Sequence, residues 1–176
     1  MWLASVVGDR SKEYAQLLIH TIVMLLAPGC IPLFISYQWA AYASALLTHF
    51  GNWVPTPRRY SRGRPPKQRW KVLPGLLYAQ LVKERHKGRV VNISKKVVYG
   101  SLDAVEAIIT RSGVGKIVNT AFIERLNLTI RQHVAGLSRK VIQLATSEIG
   151  LQKSLSLSQA YYNFCLPHTS LRLPLP

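Results

Sequence analysis

The chain has 176 residues, 48% of them hydrophobic and 17% charged, enough for one domain with a real core and too few for two comfortable ones. Its 23 Lys and Arg face only 7 Asp and Glu, a formal charge of +16. That imbalance points to a polyanionic partner, nucleic acid first and a ribosome-like or anionic-membrane surface second. Cys30 and Cys165, with five scattered histidines, exclude a disulfide framework and a four-ligand zinc site, because no Cys-x-x-Cys spacing occurs. Such usage suits a reducing cytoplasm.

In chain order, Trp2 to Val7 reads as an apolar strand, Gly8-Asp9 as a turn, and Ser11 to Ala27 as a helix ended by Pro28-Gly29. The start is not expected to act as a signal peptide, since no basic region precedes Trp2 and Asp9-Arg10 follows at once. Leu17 to Ile35 is rich in Leu, Ile, Val and Met. Gln16, His20 and Thr21 dilute its start, and Pro28, Gly29 and Pro32 break it, so it falls short of the roughly 20 apolar residues of a membrane-spanning helix. No membrane is expected as a partner. Ile31 to Ile35 then reads as a buried strand and Trp39 to Phe50 as a helix, with Trp39, Tyr42, Leu46 and Phe50 at helical spacing. Strand, helix, strand, helix implies a parallel α/β sheet. A strand at residue 2 has no earlier strand to pair with, so parts of the sheet are expected to be missing.

From Pro55 to Lys71 the composition changes. Arg58, Arg59, Arg62, Arg64, Lys67, Arg69 and Lys71 alternate with prolines and Gly63, a mixture that cannot pack a core and reads as an extended, solvated loop, whose cations are the candidate DNA contacts. Within it Arg62-Gly63-Arg64-Pro65 resembles the core of an AT-hook, whose thin backbone follows the negative potential of a narrow minor groove. A generic phosphate-binding loop is the simpler reading.

Leu76 to Glu84 and Val90 to Tyr99 are β-rich runs joined by a polar turn containing Gly88, a predicted hairpin. Ser101 caps a predicted helix whose Asp103 and Glu106 are explained by the helix terminus. Ser112-Gly113-Val114-Gly115-Lys116 lacks the glycine spacing and the trailing Ser or Thr of a phosphate loop. A helix follows from Thr120 to Leu137, with Ile123, Leu126, Ile130, Val134 and Leu137 as a core stripe and Glu124, Asn127 and Arg131 stacked along one side. On spacing alone that side is a solvated face. Leu151 to Phe164 reads as a last helix before an extended tail. These features divide the chain into a strand/helix region 1–54, a basic loop 55–75, a hairpin 76–100 and a helical part 101–176.

Asn119-Thr120-Ala121-Phe122-Ile123-Glu124-Arg125-Leu126-Asn127 resembles the block around the third acid of insertion-sequence DDE transposases, and Arg131 matches the basic residue placed after it. Leu137-Ser138-Arg139-Lys140 agrees with a second block, and Tyr161-Tyr162-Asn163-Phe164-Cys165-Leu166-Pro167-His168-Thr169-Ser170-Leu171 resembles the family's tyrosine-asparagine-histidine ending. More weakly, Gly8-Asp9-Arg10-Ser11 looks like the turn after the family's third strand. Phe34-Ile35-Ser36-Tyr37-Gln38-Trp39 aligns with the segment that supplies the second acid, and Tyr37 stands in that acid's place.

The resemblance implies an incomplete RNase H-like α/β domain, a mixed sheet with flanking helices, truncated before the strand that bears the first acid. It implies Glu124 as the third acid and a metal ligand, Asn127, Arg131, Arg139 and Lys140 as DNA contacts, insertion-sequence DNA ends as partner, and room for a homo-oligomer. In the intact family two Mg²⁺ (or Mn²⁺) ions flank the scissile phosphate and clustered carboxylates hold them. One carboxylate is too few, and a phenol uncharged at neutral pH is a poor substitute, so the expectation is DNA binding without productive metal binding or independent catalysis. A non-enzymatic nucleic-acid-binding protein unrelated to transposition, resting on the basic loop alone, is the alternative. A membrane-surface protein using Leu17 to Ile35 is a third.

Overall fold

Residues 1–57, 67–113, 118, 120–138 and 147–166 are described by the computed structural model, Arg85 by its backbone only. Helix α1 (Lys12–Leu25) starts after Ser11 and stops at Leu26, whose backbone is already extended, two residues before a proline that cannot donate to a helical ladder. No helix among the described residues is long and apolar enough to cross a membrane. Strand β1 (Phe34–Tyr37) leads into α2 (Ala40–His49), and β2 (Gly51–Val54) follows almost without a loop. Gly51 permits that junction, because a Cβ there would run into the Leu47 carbonyl oxygen.

Strand β2 pairs antiparallel with β3 (Arg69–Val72) as a separate two-stranded ribbon. Strands β4 (Tyr78–His86) and β5 (Arg89–Tyr99) form the predicted hairpin. Its turn places Lys87 at φ 48° and Gly88 at φ 81°, the pair of left-handed residues that matches the twist of a tight hairpin. The sheet has the order β1-β4-β5, with β1 parallel to β4 and Phe34 opposite Tyr78. It is therefore mixed rather than parallel throughout. Helix α3 (Leu102–Ser112) follows, its Ala104 N–H donating to the Ser101 hydroxyl at 3.3 Å and its end closed by Gly113 at φ 68°.

The chain divides into two compact units, Arg10–Ala121 and Met1–Asp9 with Phe122–Pro176. In the first, the start of β4 and the residues leading into it are buried on both faces. Leu76 and Tyr78 pack with Ile19 of α1, Ala45 and Leu46 of α2, and Phe50. Leu77, Ala79 and Leu81, which alternation turns to the opposite face, pack with Val105 and Ile109 of α3 and with Val118. The run Leu76–Leu81 is hydrophobic on consecutive positions because helices cover both sides. Its one polar member, Gln80, is 4% exposed and donates to the Tyr78 hydroxyl at 2.7 Å, which lies 2.7 Å from the Ser36 hydroxyl.

The second unit holds α4 (Ala121–His133), a 3₁₀ turn (Ala135–Leu137), α5 (Glu148–Ala160) and a π turn (Tyr161–Cys165). Its core gathers Trp2, Val134 and Leu155, with Leu126, Ile130, Leu137, Leu151 and Tyr162 around them. Two sequence expectations change here. Trp2 to Val7 forms no strand. Asn163 takes the Trp2 backbone on both sides, accepting from its N–H at 2.8 Å and donating to its carbonyl at 2.8 Å. Gln159 donates to the carbonyls of Trp2 and Leu3 at 3.1 and 2.7 Å. Side-chain amides thus satisfy groups that a sheet neighbour would otherwise have to meet. The α4 stripe is also only partly core, because Ile123 is 45% exposed and burial reaches only the Leu126 to Leu137 end.

Candidate nucleic-acid interface

Lys67, Arg69 and Lys71 are exposed, and the last two lie on β3, where the sequence alone suggested loop. Strand pairing begins earlier because Gly51–Val54 offers a β-competent partner to Arg69–Val72, in the register Trp53 opposite Trp70 and Asn52 opposite Lys71. The indoles, directly opposed, meet edge to face with ring centroids 5.2 Å apart. Above them the Trp53 Nε1–H donates to Gln68 Oε1, and the Thr56 hydroxyl donates to the Lys67 carbonyl at 2.8 Å. Trp53 is 52% exposed and Trp70 43%. Alternation puts the two indoles on one face of the ribbon and Arg69 and Lys71 on the other.

Charge reading finds Arg69 and Lys71 but misses the tryptophans. The signal was present as two short β-competent runs, Asn52-Trp53-Val54 and Arg69-Trp70-Lys71-Val72, on either side of the Arg- and Pro-rich segment. Arg58, Arg59, Arg62 and Arg64, with the AT-hook-like block, lie outside the described residues, as do Arg139, Lys140 and His168.

Tyr37 closes β1 at the edge of the mixed sheet. Its hydroxyl accepts from Lys83 Nζ at 3.1 Å and from the buried Thr120 hydroxyl at 3.0 Å, and the Lys83 ammonium lies 4.8 Å from the centre of its ring. A cation is already seated against this phenol, on both its oxygen and its π face. A divalent ion does not fit there, since the donor is neutral and the nearest charge is positive.

Glu124 stands in the first turn of α4, with Asn127 and Arg131 further along the helix, and all three are exposed. The Arg131 carbonyl accepts from the Ser138 hydroxyl at 2.6 Å, which closes the turn after the helix. Tyr37 belongs to the first unit and Glu124 to the second. The chain's 7 acids are all among the described residues and all exposed. Among those residues no three of His, Cys, Asp and Glu gather closely enough to hold a metal ion.

No protein-family profile, curated protein or solved structure matches this chain.

Proposed function

We propose that this chain is a transposase-derived DNA-binding protein that neither cuts nor joins DNA by itself. The observation that carries the DNA partner is the exposed cationic strand β3, Arg69 and Lys71 with Lys67 before it, continuous in sequence with the arginines of 58–66 in a chain of charge +16. Cations on an extended segment neutralise phosphates and release their counterions, so they bind DNA with little regard to sequence. Support for ancestry comes from the block around Glu124, the Leu137-Ser138-Arg139-Lys140 block and the Tyr161 to His168 block in their family order. Support for the loss of catalysis comes from Tyr37, where a phenol and the Lys83 ammonium replace a carboxylate.

The test is DNA binding, cleavage and strand joining by the full chain with Mg²⁺ or Mn²⁺. Binding without either reaction is the expected outcome, unchanged by Glu124→Gln. Cleavage that Glu124→Gln abolishes would overturn the inactive reading.

The solvated face of Glu124, Asn127 and Arg131 equally suits a nucleic-acid-binding protein with no transposase ancestry. That reading places all affinity in the basic segment. Replacing Asn127 and Arg131 with Ala would then leave DNA affinity untouched, whereas inherited DNA contacts on α4 predict a loss of several fold.

A further inference from the structure

We infer that the Trp53–Trp70 pair is a stacking platform for unpaired bases of single-stranded DNA, with Arg69, Lys71 and Lys67 holding its phosphates. This rests on the DNA partner proposed above and adds which form of DNA the ribbon takes. Two large indoles stand side by side on one face of a two-stranded ribbon, 52% and 43% exposed. They share a ribbon face with the partly buried Val72, which joins the hydrophobic core, but lie farther along it, toward the basic segment, where the face is exposed.

The pair is also held in place. The Trp53 Nε1–H is directed at Gln68, and each ring limits the other's rotamers through their edge-to-face contact, which reduces the side-chain freedom to be lost when a base arrives. Bases of a duplex are stacked on each other and offer these rings no face, whereas an unpaired base offers one whatever its identity.

Charge selects the occupant. The ribbon carries Arg69 and Lys71 on its reverse face and Lys67 just before it, and no acid lies between Gly51 and Leu77. Strands in a ribbon are about 4.8 Å apart, and charges act over a screening length of about 10 Å near 0.1 M salt. Cations on the reverse face therefore act on phosphates running along the ribbon's edge while the bases meet the indoles. An apolar peptide would leave those cations without a partner.

The experiment uses the full chain with a fluorescein-labelled thymidine oligomer, a duplex of equal length, and vesicles of phosphatidylserine and phosphatidylcholine. The oligomer should quench tryptophan emission. W53A/W70A should weaken oligomer binding by roughly 5- to 150-fold, the range for one lost stacking contact, and change duplex affinity by less than about 3-fold, since a duplex offers the rings no free face. W53F/W70F, which keeps a ring at each position and so guards against a folding failure, should retain most of the oligomer affinity while losing the quenching. Arg69→Ala with Lys71→Ala should weaken both nucleic acids. Unchanged oligomer affinity in W53A/W70A with duplex binding intact would remove the platform and leave the DNA-binding reading standing. Failure of the native chain to bind either DNA would remove both. A blue shift of emission on vesicles with no response to the oligomer would assign the pair to a membrane surface and overturn the proposal.

Discussion

His49 closes α2 with its ring 5.4 Å from that of His20 on α1. Partial burial disfavours the imidazolium, and the neighbouring His20 adds like-charge repulsion, so the His49 pKa lies below its ordinary value of 6.5. The folded state thus binds this proton less readily than the unfolded chain does. Stability is full above about pH 6.5 and is lost as pH falls through the lowered folded value. Thermal unfolding midpoints at pH 5.5 and 7.5 should differ less in His49→Gln than in the native chain. An equal difference in both would show that His49 is not the source. At the same scale, Tyr37 shows how one side chain can redefine a site. A carboxylate there would meet Lys83 as an ion pair, whereas the phenol holds it by a hydrogen bond and a ring face.

Among the elements, the extended segment from Trp2 to Val7 is the most dependent on distant partners. Trp2 is 3% exposed, its ring meets Tyr162 edge to face at 6.4 Å, and Asn163 takes both of its backbone polar groups. Asn163→Ala removes both bonds and leaves the Trp2 N–H unpaired, while Gln159 still donates to the Trp2 carbonyl, at a cost of about 1–3 kcal/mol. Hydrogen exchange at the Trp2 amide should accelerate while the Leu46 amide, in the other unit, keeps its protection. Undiminished Trp2 protection would mean that packing alone holds the segment. Asn163 thus has a structural task, holding the Trp2 backbone. The β4–β5 hairpin shows a different dependence. Its base is buried between helices, while toward its turn Val90, Val91 and Ile93 are exposed, and Lys95 and Lys96 place charges along the outermost strand, which discourages edge-to-edge pairing.

For the molecule as a whole, the charge of +16 sets how DNA affinity must respond to salt. Each phosphate neutralised on a duplex contributes about −0.9 to the slope of log affinity against log salt. Replacing Arg69 and Lys71 together should reduce the slope by about 1.8, and a slope unchanged in that variant would place the phosphate contacts elsewhere. Legibility followed the range of the interactions. Helices α1, α2 and α3 and the β4–β5 hairpin could be read from Pro28, Ser101, Gly88 and the apolar spacing, because caps, turns and periodicity act within a few residues. Arg69 and Lys71 could be read as candidate contacts from charge alone. The tryptophan pair could not, since its partners meet only when β2 and β3 pair in one register.

The sequence by itself therefore determined the mixed α/β character, the starts and stops of most elements, and the strong positive charge, all local or summed properties. Only the tertiary structure decided that Trp2 to Val7 is held by amides instead of a strand and that β1 pairs with β4. It also decided that Ile123 lies outside the core and that Trp53 and Trp70 stand together beside the cations. Each of those outcomes depends on residues far apart in the chain competing for the same buried surface or backbone group, a competition that no local pattern records.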